Sequence, residues 1–159
     1  MKETRWNAKD SLLYLDSKQY VDTVLIPVIP ISLRDNCKES ANAAEFIQLL
    51  CLQLEKQFRG RILLMPSFPY LPNSNDSQNV FLLEPFMDEL KSANFKHIVF
   101  LSTESVLKKY VEDFGGDFIW VPSIPLDSME DSYKLSIMDN QVKQLLNIIV
   151  DIWQETETS

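Results

Sequence analysis

Four short segments of the chain are almost continuously apolar or β-branched, and this pattern predicts buried strands. They cover residues 23–28, 61–65, 98–102 and 117–121. Their apolar residues do not alternate with polar ones, which is typical of strands that helices cover on both faces. The pattern therefore favours a parallel sheet.

Between these segments the apolar positions recur at helical spacing. Residues 43–58 give the clearest case, and Asn42 with Glu45 forms a capping box at their start. Their apolar face consists of Ile47, Leu50, Cys51, Leu54 and Phe58. Further helices are predicted over residues 9–20, with Asn7 as the cap, and over residues 85–93, 103–114 and 138–154.

The alternation of strands and helices predicts an α/β fold. We expect a three-layer α/β/α architecture with a mainly parallel, four-stranded sheet. The chain has 159 residues, which fits one domain of ordinary size, so residues 1–159 are interpreted as a single domain. The tail 155–159 is acidic and small, and we expect it to fray.

A short proline pattern occurs three times, at residues 27–30, 66–69 and 122–125. Each copy ends or follows a predicted strand. Proline cannot donate a hydrogen bond to a sheet, so we expect it to stop strand pairing there and to direct the chain outward. In an open parallel sheet, ligands bind beyond these same carboxyl ends of the strands.

The predicted binding site therefore lies at the carboxyl rim of the sheet, where polar side chains follow each strand. The long connection 66–79 is the best single segment in which to look for a ligand or partner, because loops of that length are usually functional or mobile. The candidate binding residues are Arg34, Asp35, Tyr70, Asn73, Ser102 and Glu104.

Charge and hydropathy narrow the classes of partner. The formal net charge is -8, and no cluster of Lys and Arg offers a site for a phosphate backbone, so nucleic acid is not an expected partner. The longest apolar run, which begins at Thr23, is too short for membrane insertion. The amino terminus is polar and shows no secretory signal, so we expect a cytoplasmic protein.

Few residues of the kind used in recognisable active sites are present. His97 is the single histidine and is placed at the entry of the third strand, away from the rim. Cys37 and Cys51 lack the spacing of a zinc or redox motif, and Cys51 is interpreted as a buried thiol. No glycine-rich loop opens a helix to bind a phosphate, and a single histidine cannot form a metal site of several imidazoles, so we expect no cofactor and no metal.

The segment 102–105 runs from a strand towards a helix, in the manner of a nucleophile elbow but without its glycines. Capping of the helix by Ser102 or Thr103 explains these residues more simply. The leading hypothesis is a non-catalytic module that binds a protein or a small molecule at the rim. The alternative is a small metal-independent hydrolase that uses Ser102 and Glu104 near the 66–79 connection. Homo-oligomerisation through apolar helix faces is a third alternative.

The segment 20–28, with Trp6 upstream and 61–72 downstream, resembles the uncharacterised YpiF-type family of small proteins from bacilli. This resemblance spans most of the chain and implies no known activity. More remotely, residues 24–27, 63–72 and 90–101 are similar to the core of the creatininase amidohydrolase fold. The positions of that family's metal ligands, in 29–33 and 102–105, hold no such residues here, so the likeness implies a fold without metal-dependent hydrolysis.

Overall fold

Strands and helices alternate along almost the whole chain, as the sequence predicts. The structure is a computed structural model that describes the backbone of residues 3–158 and the side chains of residues 3–155. In chain order its elements are α1 (Ala8–Asp16), β1 (Thr23–Pro30), α2 (Cys37–Gln57), β2 (Ile62–Leu64), β3 (Phe68–Tyr70), α3 (Asp76–Val80), α4 (Leu83–Ser92), β4 (His97–Ser102), α5 (Lys108–Asp113), β5 (Asp117–Trp120) and α6 (Asp131–Thr158).

The strands form one parallel sheet in the order β2-β1-β4-β5, with β3 also paired to β1. Alternate residues of β1 and β4 enter different cores, which explains their continuous hydrophobicity. Leu25 and Val99 pack with α2 and α6 on one face, whereas Val24 and Ile98 pack with α1, α4 and α5 on the other. The three-layer α/β/α prediction is confirmed.

The strand β3 was not predicted, and it makes five strands where four were expected. It lies end to end with β2 along the same side of β1. Its central residue is Pro69. The carbonyl of Tyr70 accepts the N–H of Ile31 at 2.8 Å, so the backbone of Tyr70 faces β1 and that of Pro69 faces away. The missing N–H of Pro69 therefore leaves no gap in the pairing with β1.

Strand pairing does not stop at the first proline of the first pattern, contrary to the prediction, because β1 continues through Pro27 and ends at Pro30, the last residue of that pattern. The carbonyl of Leu25 accepts the N–H of Met65, so the backbone of Leu25 faces β2 and, by alternation, that of Pro27 faces the same side. The missing N–H of Pro27 falls opposite the break between β2 and β3. The other two patterns follow the ends of β2 and β5, as predicted.

The helix boundaries differ most from prediction where a helix extends beyond the core. The helix α2 begins six residues before residue 43, at Cys37, and α6 begins at Asp131 instead of 138. Their first turns are polar, so hydrophobic periodicity could not reveal them. The tail expected to fray is helical as far as Thr158, and Ser159 lies outside the described residues.

The other helices show smaller differences. The helix α1 is capped by the Asn7 side chain, as predicted, but ends at Asp16. The helix α4 starts at Leu83, two residues before Pro85. Residues 103–107 are not helical, because α5 begins only at Lys108. Within residues 3–158, no helix is both long and apolar enough to cross a membrane.

Candidate functional site

A cavity of about 580 Å3 lies at the carboxyl rim of the sheet. Its walls come from the end of β1, the first turns of α2, and the segments after β3, β4 and β5. Residues that follow β1, β3, β4 and β5 therefore meet around this cavity. The lining residues are Pro30, Asn36, Lys38, Glu39, Ser40, Asn42, Ala43, Pro72, Thr103, Glu104, Ser123, Pro125, Asp127 and Ser128.

The Asn42 side chain holds one wall of the cavity in place. Its Nδ2 donates to the carbonyl of Ile124 at 2.9 Å, and its Oδ1 accepts the N–H of Leu126 at 2.9 Å. Asn42 lies inside α2 and therefore does not form the predicted capping box. It instead uses its amide to fasten the segment after β5 to the helix, where both line the cavity.

A second polar junction organises the segment after β1. The Ser32 hydroxyl is buried, hydrogen-bonds to Oδ1 of Asn36, and accepts the Nδ2 of Asn73 at 2.9 Å. Asn36 immediately precedes α2, but its side chain does not cap that helix. The junction joins the segments after β1 and β3, and it fixes the position where α2 begins.

The segment after β4 places two adjacent residues, Thr103 and Glu104, in the cavity lining. The Ser102 hydroxyl accepts the N–H of Glu104 at 3.1 Å, and the Thr103 carbonyl accepts Nε1 of Trp120 at 2.8 Å. These bonds hold a non-helical turn, so neither Ser102 nor Thr103 caps α5 as predicted. The turn, and not a helix cap, therefore sets the positions of Thr103 and Glu104.

Within the described part of the chain, Glu104 and Thr103 both carry side-chain oxygen atoms without a hydrogen-bond partner. Among the residues described with side chains, Oγ1 of Thr103 is buried and has no hydrogen-bond partner. Glu104 is half-buried, and this burial raises the pKa of its carboxyl above the usual value. Burial also raises the pKa of Tyr70, and the charge of Glu104 raises it further.

An exposed ion pair lies among the lining residues. The Nζ of Lys38, in α2, is 2.9 Å from Oδ2 of Asp127. Hydrogen bonding to the Lys38 ammonium lowers the pKa of the Asp127 carboxyl, and the same bond raises the pKa of Lys38. Both side chains are mostly in solvent, so the pair positions charge at the site and contributes little to stability.

The six candidate residues occupy different places relative to the cavity. Only Glu104 lines it, while Ser102 is fully buried beneath it and Tyr70 packs in the core. Asn73 is exposed and supports the lining through Ser32. Arg34 and Asp35 are exposed residues of the segment after β1 and are not part of the lining.

The contribution of α2 to the cavity was not predicted from the sequence. This helix supplies Lys38, Glu39, Ser40, Asn42 and Ala43. The available signal was Asn36, a residue type common at helix starts, followed by polar residues that include Glu39. The 66–79 connection is also more ordered than expected, because it contains β3 and the start of α3. A capping box of Asn75 and Gln78 fixes that start.

His97 and Cys51 lie away from the cavity lining, whereas the exposed Cys37 lies between the lining residues Asn36 and Lys38. His97 is the first residue of β4, at the opposite end of that strand, and burial lowers its pKa. Cys51 is fully buried, as predicted, and burial raises the pKa of its thiol. Across the described residues, no group of three or more His, Cys, Asp or Glu side chains is arranged to hold a metal ion.

Comparisons with known proteins place the chain in a family but do not indicate an activity. The chain is 34% identical over 149 residues to "Uncharacterized protein YpiF" of Bacillus subtilis (strain 168), an alignment that covers 94% of this chain and 97% of that protein. No solved structure matches the chain, so the creatininase-like interpretation receives no support. Residues 12–153 match the family described as "Protein of unknown function (DUF2487)", and the chain belongs to this family.

Proposed function

We propose that this protein is a binding module whose ligand is a small molecule and whose site is the rim cavity. The observation that carries the proposal is the cavity of about 580 Å3 at the carboxyl ends of parallel strands. Small-molecule sites commonly occupy concave pockets of about 300–1,000 Å3. In open α/β sheets they lie at this end of the strands, where several connecting segments converge.

The composition of the lining supports ligand binding. Pro30, Pro72 and Pro125 provide rigid apolar surface from three different segments. Hydroxyl, amide and carboxylate groups lie between them, which is the mixture that orients a small ligand within an apolar pocket. A protein partner would need a contact area of about 800 Å2 on each side, and a concave site is less suited to it.

The hydrolase alternative depends on Ser102, and its surroundings favour a structural role. The hydroxyl is fully buried, accepts a backbone N–H from Glu104 and is not part of the cavity lining. A nucleophile must reach a reacting atom and lie within hydrogen-bond distance of a base. Glu104, the base of this alternative, lines the cavity. Among the described side chains, however, no hydrogen bond joins its carboxylate to the Ser102 hydroxyl.

Ligand binding can be tested by NMR on the full chain. A library of soluble metabolites is added to the 15N-labelled protein, and ligands are identified by shifts of the backbone amides of Ser40, Thr103 and Glu104. The variant Ser128→Trp adds an indole at an exposed lining position and is expected to weaken binding at least about tenfold.

Ser136→Trp is the matched control, because Ser136 is exposed on α6 and does not line the cavity. This variant is expected to bind as the natural chain does. If every ligand shifts amides elsewhere, or if Ser128→Trp binds each ligand unchanged, the rim cavity is not the binding site and the proposed function is wrong.

A further inference from the structure

We propose that the ligand of the rim cavity carries a positively charged nitrogen, an ammonium or guanidinium group, which pairs with the Glu104 carboxylate. This inference rests on the proposed function, since it assigns a chemical class to the ligand of that same site. It concerns Glu104 and the adjacent Thr103, which come from the turn after β4 and both line the cavity.

The charge of Glu104 has no partner within the part of the chain that the structure describes. Among the side chains of residues 3–155, its carboxylate forms no ion pair and no hydrogen bond, although it is half-buried. The cation in the lining, Lys38, is already paired with Asp127 at 2.9 Å. A partly desolvated carboxylate without a partner is unfavourable, and a ligand cation would remove this penalty.

Thr103 is adjacent to this charge in the lining, and its hydroxyl can become a second acceptor for a ligand once the side chain turns towards the cavity. Its Oγ1 is buried without a hydrogen-bond partner among the described side chains. An ammonium group has three donors and a guanidinium group has five, so either can bond to a carboxylate and to a neighbouring hydroxyl together. A carboxylate or phosphate group on the ligand would have no donor to offer Glu104.

The features that favour an anion at this site are already compensated. The amino end of α2 carries the partial positive charge of the helix dipole. Glu39, which lies in the first turn and in the lining, offsets this charge. The ammonium of Lys38 is neutralised by Asp127. The formal net charge of -8 also raises the concentration of cations near the protein surface.

Binding of a cation is expected to depend on the ionisation of Glu104. Burial raises the pKa of this carboxyl, so affinity should fall as the pH drops through that raised value. The other titratable groups of the lining are Lys38 and Glu39 of α2 and Asp127 after β5, and Tyr70 of β3 lies close enough for Glu104 to raise its pKa. Hydrogen bonding to Lys38 lowers the pKa of Asp127, so Asp127 loses its charge only at lower pH than Glu104.

The test uses three probes of similar size on the full chain: pentylammonium, 1-pentanol and pentanoate. Each is titrated into the 15N-labelled protein at pH 7, and shifts of the Thr103 and Glu104 amides are followed. Pentylammonium is expected to bind at least about tenfold more tightly than either other probe. Glu104→Gln should abolish this preference, whereas Glu89→Gln, an equal charge change on exposed α4, should preserve it.

The outcomes separate this inference from the proposed function. Equal or tighter binding of 1-pentanol or pentanoate at the same amides, unchanged by Glu104→Gln, would overturn the cationic ligand and leave the cavity as the binding site. Loss of the pentylammonium preference in Glu89→Gln would also overturn it, because the effect would then come from overall charge. If no probe and no metabolite shifts the cavity amides, the proposed function fails as well.

Discussion

Two buried threonines show how the same side chain can serve stability or binding. In the amino-terminal half of the sheet, Oγ1 of Thr23 accepts Nε1 of Trp153 at 2.8 Å and donates to Asp22 at 2.9 Å. At the rim, Oγ1 of Thr103 is buried with no partner among the described side chains. Valine has nearly the same shape as threonine, so Thr→Val at each position removes only the hydroxyl.

Thr103→Val is expected to stabilise the protein and to weaken ligand binding. A buried hydroxyl without a partner costs about 1–3 kcal/mol, and the valine methyl group removes this penalty. We expect the free energy of unfolding to rise by about 1 kcal/mol in urea denaturation. In the NMR titration, the affinity for pentylammonium should fall severalfold. A decrease in stability would contradict the assignment of Thr103 as an unsatisfied group.

Thr23→Val is expected to have the opposite effect on stability. The buried N–H of Trp153 would lose its acceptor, at a cost of about 1–3 kcal/mol. The same urea denaturation measures this loss, and pentylammonium binding should stay unchanged because Thr23 is not part of the cavity lining. A neutral result would mean that the Trp153 N–H finds another acceptor.

Glu104→Gln provides a pH-dependent prediction. Burial raises the pKa of Glu104 in the folded protein, so the charged form is disfavoured there relative to the unfolded chain. The penalty is fully present above the raised pKa and disappears as the pH falls below the usual carboxyl value. We therefore expect Glu104→Gln to raise Tm at pH 7 and to change it little at pH 3. An equal gain at both pH values would show that charge is not the cause.

At the scale of elements, α2 contributes both to the core and to the candidate site. Beyond its first two turns its apolar face packs on the sheet, whereas its first turns line the cavity. Asn42 lies between these parts and bonds to the segment after β5. The Asn42 side chain thus holds the segment after β5 against α2, at the place where both line the cavity.

Asn42→Ala is expected to loosen this wall without unfolding the protein. The variant leaves the N–H of Leu126 and the carbonyl of Ile124 without their side-chain partner. Loss of these two hydrogen bonds, and of the longer one from Nδ2 to the Ser123 hydroxyl at 3.4 Å, predicts a decrease of about 1–3 kcal/mol in the free energy of unfolding. Amide hydrogen exchange should rise in residues 122–128 more than in β1. The exposed Asn140→Ala, on α6, is the control and should change neither measurement.

The core elements could be predicted from the sequence because burial alone determines their pattern. The segment 98–101 is apolar throughout since β4 is covered on both faces, and Leu50 recurs at helical spacing with Leu54 because both face the sheet. The parallel sheet and its carboxyl rim follow from these elements. The general location of the candidate site was therefore predictable.

The details of the site depend on polar contacts between distant segments, which leave no periodic signal. Asn42 contacts residues more than 80 positions away in the chain, and Asn73 contacts Ser32. The strand β3 was hidden by Pro69, whose tolerance depends on which way its backbone faces. Glu104 was predicted from its place after a strand, but the unsatisfied Thr103 hydroxyl could be found only in the structure.

At the scale of the whole molecule, the β2 edge of the sheet contacts the amino-terminal segment. On the β2 side, the Thr4 carbonyl accepts the N–H of Leu64 at 2.9 Å, and the Thr4 hydroxyl donates to Ile62. The buried Glu55 accepts the N–H of Thr4 and forms an ion pair with Arg5 at 3.5 Å. The amino-terminal segment therefore covers the edge of β2, which protects a strand from pairing with other chains.

Contacts between polar and aromatic side chains hold the amino end of the sheet together. At the amino end, Arg61 forms two hydrogen bonds to Asp22 and lies 3.5 Å from the centre of the Trp153 ring. Phe58 packs edge-on against the same ring. These contacts join the end of α2, the starts of β1 and β2, and α6. At the carboxyl end, the Glu104 carboxylate and Oγ1 of Thr103 have no hydrogen-bond partner among the described residues.

Trp153→Phe tests this division between stability and binding. The change removes the bond to Thr23, part of the surface beneath Arg61 and some core volume, so we expect a loss of about 2–3 kcal/mol in the free energy of unfolding. Trp120→Phe, at a half-exposed position on β5, should lose less than about 1 kcal/mol. Urea denaturation followed by circular dichroism measures both variants.

Pentylammonium affinity should stay unchanged in Trp153→Phe, because the ring lies at the end of the sheet remote from Glu104. A parallel loss of stability and affinity in this variant would show that the two ends are coupled.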